Sequence, residues 1–416
     1  MPPRRPLNIL LATIEYPPDP FSAGIGSYTK ALADALVDRG HKVHVVTRGE
    51  TADRIEKEGA LTIHRIAPAR PELPDEFGAL QMMSLGVKGL FSELHYRRKI
   101  AATLHELVQE QSIDLIESAD HVAETILYTP AKHKHVPFVV RLHTPLAVGE
   151  LFDKNIAEPL RQGVRLYEKQ LLKKATHLTA PSQKGAYIMC KEMGIDVGSV
   201  TVFPNPPTMP FEDAPLTPTE SNMVLYVGRL TRWKGVHLLA RAIAAVSREC
   251  PQASFVFVGK DLPSSEGGGS TKEYLLQLVP SDLHDKLSFT GALPHDDVKP
   301  YLRRAAVAVI PSLFDSFGYT CLEAMSFGKA IVASDQGGLS DLLDRGRCGL
   351  LFTPPDVETL SSHIVRLLKN KALRLHYGTL AKERLLSTYS LESVMKQTEN
   401  FYYRAITDLN PAFFDV

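Results

Sequence analysis

Short apolar runs alternate with segments of helical periodicity through the first half of the chain. Leu and Ala recur at helical spacing in segments such as 27–39 and 100–111, and Gly40 follows the first of these as a typical helix end. Apolar runs of strand length lie between such segments, at residues 8–12, 42–47, 61–66, 115–117, 138–143, 177–180 and 201–203. Strands rich in Val, Ile and Leu with helices between them predict a parallel sheet covered on both faces.

The alternation breaks at residues 204–218, which carry six prolines in fifteen residues and indicate a semi-rigid linker. A second series follows, with strands expected at 224–227, 254–258, 287–290, 307–311, 330–333 and 349–352, helices at 236–248 and 358–370, and a loop at 263–270. We therefore predict an α/β protein of two doubly wound domains, 1–205 and 206–395, joined by a proline hinge. Ligands of such folds bind beyond the carboxyl ends of the strands, so the site is expected in a cleft between the domains.

Composition narrows the classes of partner. Lys and Arg together number 47, as do Asp and Glu, so no net charge attracts nucleic acid or an anionic membrane, and an anionic ligand must be held by local groups. The four cysteines are scattered, which fits a reducing compartment and argues against a zinc site or a disulfide framework. No apolar run approaches the roughly 18 residues of a membrane span, and residues 7–13 are too short for a signal peptide. We expect a cytoplasmic protein with at most a weak membrane contact.

Two cations stand at the carboxyl edge of the second predicted sheet. Arg229 comes directly after a strand, and Lys234 lies five residues further on, at the entry to the next helix. Arg offers a planar fork and Lys a point charge, a combination suited to two linked phosphates. Taken alone, the spacing fits solvated loop cations better.

A carboxylate-bearing loop and helix follow the strand at 307–311. The helix is expected from near Tyr319 to before Gly328, and its free N–H groups would face the same cleft as the two cations. Asp315 in the loop could accept hydrogen bonds from ligand hydroxyls, and Glu323 in the helix could accept a vicinal pair such as that of a ribose. Phosphate-binding cations beside hydroxyl-binding carboxylates describe a nucleotide-sugar site. The alternative is that Asp315 caps the helix and Glu323 is a surface residue.

The first half offers a glycine pair and a histidine. Gly24 and Gly26 follow the first strand and open a helix, but no GxGxxG fingerprint is present, which excludes an NAD-dependent dehydrogenase. His143 ends an apolar strand at the predicted cleft, where a structural histidine is the alternative. The other histidines lack the spacing of metal ligands, and no Asp-x-Asp follows a strand, so the sequence indicates no metal site.

In their order, these motifs resemble the retaining glycosyltransferases of family 4, whose fold, called GT-B, has two facing Rossmann-like domains. The resemblance covers nearly the whole chain. It rests on Ala23-Gly24-Ile25-Gly26, His143, Pro204-Asn205-Pro206, Gly228-Arg229-Leu230 with Lys234-Gly235, the stretch from Asp315-Ser316-Phe317-Gly318 to Glu323-Ala324, and Gly337-Gly338.

The resemblance implies a role for each matching position. Arg229 and Lys234 would neutralise the diphosphate leaving group, His143 would bond a sugar hydroxyl near the reacting carbon, and Glu323 would bind the ribose. The remaining donor-binding positions would be Gly24 at the phosphate and Asp315, Phe317, Gly318 and Tyr319 at the sugar. Transfer would retain the anomeric configuration without a bound metal or other cofactor. The last residues, about 396–416, would form a helix that crosses back to the first domain.

Several positions depart from the family pattern. Asp315 replaces the usual first Glu, Ala23 replaces the first glycine of the loop, Pro206 replaces the hinge glycine, and Leu339-Ser340 replaces Pro-Glu. The shorter carboxylate at position 315 is the one feature that favours a catalytically impaired nucleotide-sugar-binding protein over an active transferase. A nucleotide-sugar epimerase of the same fold is a second alternative.

The acceptor is the part that the sequence describes least. Contacts are expected from the first domain, at Asp120 and His121, in the loop 146–152 and in segment 73–91. That last segment mixes Met and Leu with few charges, which fits a hydrophobic acceptor, a weak membrane contact or an ordinary buried helix. We expect a UDP- or GDP-sugar donor and a small soluble molecule or glycoside as acceptor, with the oligomeric state open.

Overall fold

The computed structural model describes residues 5–18, 24–68, 81–149, 151–152, 158–209, 211, 221–264 and 269–414. These residues form two α/β units, here called the first and the second domain, each built around one sheet. None of the described helices combines the length and the apolar character that a membrane span requires.

The first domain contains eight strands and five α-helices among the described residues. The strands are β1 (Asn8–Thr13), β2 (Lys42–Arg48), β3 (Arg54–Glu58), β4 (Leu61–Ile66), β5 (Leu115–Ala119), β6 (Phe138–Arg141), β7 (His177–Ala180) and β8 (Val200–Val202). The helices are α1 (Gly24–Asp38), α2 (Gln81–Glu110), α3 (Leu146–Gly149), α4 (Glu158–Lys174) and α5 (Gln183–Met193). The strand order is β3-β4-β2-β1-β5-β6-β7-β8, with β1 at the point where the order reverses.

The described residues of the second domain form six strands in the order β11-β10-β9-β12-β13-β14, all parallel. The strands are β9 (Met223–Val227), β10 (Ser254–Val258), β11 (Leu287–Gly291), β12 (Val307–Ile310), β13 (Ala330–Ser334) and β14 (Leu350–Phe352). The helices that follow the first domain in sequence are α6 (Val236–Glu249), α7 (Thr271–Leu278), α8 (His295–Arg304), α9 (Tyr319–Ser326), α10 (Gly338–Leu342), α11 (Val357–Lys369), α12 (Lys371–Thr388) and α13 (Leu391–Leu409).

Every strand expected from the sequence is present, with ends that agree to within two residues. The expected parallel pairing of the first sheet is confirmed, and one strand that was not expected, β3, is added at the edge, where it pairs antiparallel with β4. Its sequence, Arg-Ile-Glu-Lys-Glu, carries charges on an exposed edge and therefore lacks the apolar run that marked the other strands. Of the loop 263–270, residues 265–268 lie outside the described part of the chain, as do 210 and 212–218 of the proline-rich segment.

Helix α13 packs on the first sheet, although α12 before it belongs to the second domain. Met395, Phe401 and Tyr402 join the apolar cluster that includes Leu7 and Ile9 of the first domain. The chain thus crosses back, which places a residue of the last helix beneath the cleft described below.

Candidate active site

A cleft of about 410 Å³ lies between the carboxyl ends of the two sheets. Nine of the eleven residues singled out in the sequence line it: Gly24, His121, His143, Arg229, Lys234, Asp315, Phe317, Gly318 and Tyr319. The two others lie elsewhere, because Asp120 is fully buried under the first-domain wall and Glu323 is further along α9.

Arg229 and Lys234 form part of the second-domain wall. The hydroxyl of Tyr226 at the end of β9 donates to the Arg229 carbonyl oxygen over 2.7 Å and so fixes the turn after the strand. The Arg229 side chain is exposed, and it makes no hydrogen bond or ion pair with any other described residue. A guanidinium without a protein partner at a cleft wall is available to an anionic ligand.

Lys234 and Asp315 form an ion pair that the sequence did not foresee. The distance from Lys234 Nζ to Asp315 Oδ2 is 2.7 Å, and both side chains are largely shielded from solvent. The cation expected to bind phosphate is therefore paired with the carboxylate expected to bind the sugar. The two groups lie side by side in the cleft and do not form two separate subsites.

Two glycines allow the loop 313–318 to approach the neighbouring backbone. Gly235 has φ +67°, and a Cβ there would lie 1.8 Å from the Pro311 carbonyl oxygen. Gly337 has φ +66°, and its Cβ would lie 2.1 Å from the Asp315 carbonyl oxygen, which accepts a hydrogen bond of 2.7 Å from the Gly338 amide. Only glycine fits either position, so the loop that carries Asp315 is fixed by main-chain contact.

Tyr319 begins α9 and reaches the first domain. Its hydroxyl lies 3.4 Å from the Pro206 carbonyl oxygen in the hinge, and its ring packs edge-on against Phe317. Burial raises the pKa of the Tyr319 phenol far above its ordinary value, so this hydroxyl stays protonated and can donate.

Glu323 accepts a hydrogen bond from His295 at the start of α8, with 3.0 Å between Oε1 and Nε2. This bond raises the pKa of His295. The sequence predicts no role for His295, because its partner lies 28 residues away on a different helix.

His143 stands on the first-domain wall. Its backbone amide donates to Asp120 Oδ1 over 3.0 Å, and its ring meets the ring of Tyr28 edge-on at 4.6 Å between centroids. Burial, with Arg141 nearby, lowers the pKa of His143 well below its usual value, so the imidazole is neutral at physiological pH. A neutral imidazole can exchange hydrogen bonds with a sugar hydroxyl.

Two buried carboxyl groups support this wall from below. Burial raises the pKa of Asp120 to about 8, and the Oδ2 atom of Asp120 has no hydrogen-bond partner among the described residues. Burial also raises the pKa of Glu168 to about 7, although it accepts three backbone N–H groups, from Val122, Leu146 and Ala147. Asp120, proposed as an acceptor contact, therefore lies where it holds the backbone of His143. His121 does line the cleft, with Nδ1 3.1 Å from the Thr144 carbonyl oxygen.

A buried hydrogen-bond network lies beneath His143 and was not predicted from the sequence. Arg141 is fully buried and donates to Asn205 Oδ1 at 2.8 and 3.1 Å. Glu117 accepts the hydroxyls of Tyr28 at 2.5 Å and Tyr402 at 2.9 Å. The available signal was a charged residue inside each of two apolar strands, since a buried charge requires a partner.

Gly24 is the first residue of α1 and lies exposed at the cleft, where a Cβ would meet no atom within 4 Å. Packing against the described residues therefore does not require a glycine at this position. Ala23, the departure that precedes it, lies outside the described residues.

No group of three or more His, Cys, Asp or Glu side chains that could hold a metal ion occurs in the described part of the chain.

Two family models match the chain, one for each domain. The model "Glycosyltransferase Family 4" matches residues 22–206, and "Glycosyl transferases group 1" matches residues 210–384. An uncharacterized glycosyltransferase of Methanocaldococcus jannaschii is 25% identical over 420 residues, which span 95% of this chain and 98% of that protein.

Solved structures share the architecture at low sequence identity. The sucrose-phosphate synthase of Thermosynechococcus elongatus superposes with a TM-score of 0.73 at 22% identity and covers 97% of this chain and 100% of its own. HepE of Anabaena, solved in complex with UDP and glucose, gives a TM-score of 0.68 at 19% identity and covers 95% and 99%. The expected GT-B fold is confirmed.

Proposed function

Since the chain belongs to the glycosyltransferases of family 4, we propose that it moves a sugar from a UDP- or GDP-sugar to a hydroxyl of a small soluble acceptor or glycoside. The proposal includes retention of the anomeric configuration and no requirement for a bound metal. The observation that carries it is the convergence of Arg229, Lys234 and His143, from two domains, on one cleft of about 410 Å³.

The second-domain wall would act on the leaving group. As the bond between the anomeric carbon and the diphosphate oxygen breaks, negative charge develops on the diphosphate. Arg229 and Lys234 would supply positive charge to the diphosphate as this charge develops, and electrostatic stabilisation of this kind is commonly the largest single contribution to catalysis. A protein that supplies these cations can do without a metal ion at the diphosphate.

The first-domain wall would hold the sugar and the acceptor. Neutral His143 would bond a sugar hydroxyl near the reacting carbon, and His121 would face the acceptor. Asp315, paired with Lys234, would accept a hydroxyl of the donor sugar through its remaining lone pairs. A UDP-sugar is the first donor to test, because a structural neighbour of this chain was solved with UDP and glucose.

The test is a panel of UDP-, GDP-, ADP- and dTDP-sugars in the presence of EDTA. Thermal shift identifies the nucleotide, nucleotide release with candidate acceptors measures turnover, and NMR of the product gives its anomeric configuration. We expect one nucleotide to stabilise the wild type, turnover without metal, and a product with the donor's configuration. Binding without turnover would favour the impaired binding protein, and an inverted product would refute retention.

A further inference from the structure

The two neighbours of Asp315 in the sequence are both held by the first domain. Phe314 is fully buried in the apolar cluster that surrounds β5, β6 and β7, where its ring stacks on Phe152 at 5.7 Å with planes 4° apart. The Ser316 carbonyl oxygen accepts a hydrogen bond of 2.6 Å from Ser182 Oγ. Asp315 therefore lies between two anchors that belong to the other domain.

Ser182 uses its hydroxyl twice. It is the N-cap of α5, where Oγ accepts the Gly185 amide at 3.2 Å, and the same oxygen donates its proton to Ser316. A hydroxyl can cap a helix and donate outward at once, whereas a carboxylate can only cap. The same turn adds a second link to the second domain, since the Lys184 amide donates to Asp341 Oδ2 over 3.0 Å.

The contact is close enough to be sensitive to small changes. A Cβ on Gly185 would lie 2.4 Å from Ser182 Oγ and 3.1 Å from the Ser316 carbonyl oxygen. The first turn of α5 thus packs directly against the main chain of loop 313–318, with no room for an extra methyl group.

We propose that Ser182 is a positioning residue, through which the first domain sets the place of Asp315 in the cleft. Gly337 and Gly338 hold the loop from the second domain, and Ser182 and the packing of Phe314 hold it from the first, so its complete geometry requires that the two domains are in contact. The Arg229 side chain makes no hydrogen bond to a described residue, so its position does not depend on this anchor. The role in catalysis rests on the proposed function, but the contact itself can be tested without it.

Three substitutions at position 182 separate the two uses of the hydroxyl. Ser182→Asp keeps a helix cap and removes the donor, Ser182→Ala removes both, and Ser182→Thr keeps both. We expect Ser182→Asp and Ser182→Ala to lower kcat about tenfold while the Kd for free UDP stays unchanged, and Ser182→Thr to restore activity. Asn370 is the N-cap of α12, and its side chain accepts a hydrogen bond of 2.9 Å from the Leu373 amide. Asn370→Ala removes this cap and therefore controls for the loss of a helix cap alone.

The single tryptophan reports on the contact directly. Trp233 Nε1 donates to the Phe314 carbonyl oxygen over 2.6 Å, and its ring lies against Gly149 of the first domain. We expect acrylamide to quench Trp233 fluorescence more strongly in Ser182→Asp than in wild type, Ser182→Thr or Asn370→Ala, with no ligand present.

The outcomes distinguish this inference from the proposed function. Quenching that is equal in all variants would overturn the positioning role, as would wild-type kcat in Ser182→Asp or a parallel loss of UDP affinity. If no nucleotide sugar is turned over by the wild type, the proposed function fails, and stronger quenching in Ser182→Asp would still support the contact between Ser182 and the loop.

Discussion

The second-domain wall of the cleft is shaped by close main-chain contacts between turns of its own domain, whereas the first-domain wall is held by side chains from distant parts of the chain. On the second-domain side, Gly235 and Gly337 let the backbone approach Pro311 and Asp315 more closely than any other residue would permit. On the first-domain side, His143 rests on buried Asp120 and on Tyr28, which is bonded to Glu117.

The difference separates what each wall can do. A wall of rigid backbone presents fixed cations and N–H groups, which suits an invariant part of a ligand such as a diphosphate. A wall of networked side chains can be altered one residue at a time, which suits the variable partner, the acceptor. Changes to the second-domain wall should therefore affect folding and nucleotide affinity, and changes to the first-domain wall should affect turnover and pH dependence.

The largest effect is expected from Gly235→Ala. Its Cβ would lie 1.8 Å from the Pro311 oxygen at a positive φ, so the free energy of unfolding should fall by about 4 kcal/mol or more. Denaturant unfolding of the purified protein measures this loss. The matched control is Gly24→Ala, which meets no atom within 4 Å and should unfold like the wild type while losing turnover. Equal stability of Gly235→Ala and Gly24→Ala would contradict the claim that close main-chain contacts shape the second-domain wall.

The next effect concerns the first-domain wall alone. His143→Gln removes the neutral imidazole that is proposed to bond a sugar hydroxyl, and we expect kcat to fall about 100-fold, in line with the loss of one preorganised hydrogen bond at the reacting group. The Kd for free UDP should stay within about twofold, because the nucleotide would contact the other wall. Steady-state kinetics and calorimetry measure the two quantities. A loss of UDP affinity equal to the loss of kcat would show that the walls are not separate.

Asp120 predicts a pH dependence of stability. The unfolded chain releases this proton near the ordinary pKa of 3.8, whereas the folded protein holds it until about pH 8. The folded state thus binds the extra proton in this window, and the free energy of unfolding falls as pH rises through it. The side chain of Asp120→Asn cannot ionise. The melting temperature of this variant should therefore rise relative to that of the wild type as pH increases, by on the order of 5 °C in total.

Differential scanning at several pH values between 4 and 9 measures this gain. Glu168, whose pKa burial raises to about 7, remains in both proteins, but its charge also raises the pKa of Asp120, so the difference reports on the coupled pair. A difference that stays constant with pH would show that Asp120 is ionised in the folded protein.

The smallest effect tests the reach of the side-chain network. Tyr402→Phe removes the hydroxyl that donates to Glu117 over 2.9 Å and should cost about 1 to 2 kcal/mol of unfolding free energy. Because Glu117 also holds Tyr28 under His143, kcat should fall severalfold with unchanged UDP affinity. Tyr403→Phe, on the same helix, removes a hydroxyl that donates to the Arg5 carbonyl oxygen at 2.7 Å and should leave kcat unchanged. Equal kcat in Tyr402→Phe and Tyr403→Phe would show that the hydrogen bonds of Glu117 contribute to stability and not to turnover.

Sequence reasoning reached the second-domain wall because its signals are local. Arg229 and Lys234 follow one strand, and Asp315 follows another, so strand ends alone placed them together. The links that it missed join residues far apart in the chain, such as Tyr402 to Glu117, 285 residues away, and Ser182 to Ser316, 134 residues away. Such pairs depend on how the last helix crosses back and how the domains meet, which no local pattern encodes. Asp120 was found as a candidate, but its burial under His143 needed the structure.

Calorimetric titration of UDP in EDTA tests the central claim, that fixed cations of the second-domain wall hold the diphosphate. The proteins are wild type, Arg229→Ala, Lys234→Ala and the control Lys396→Ala, an exposed cation on α13 away from the cleft. We predict binding by wild type and Lys396→Ala, and a loss of roughly tenfold or more in each of the other two. UDP affinity that is unchanged in both Arg229→Ala and Lys234→Ala would contradict the account.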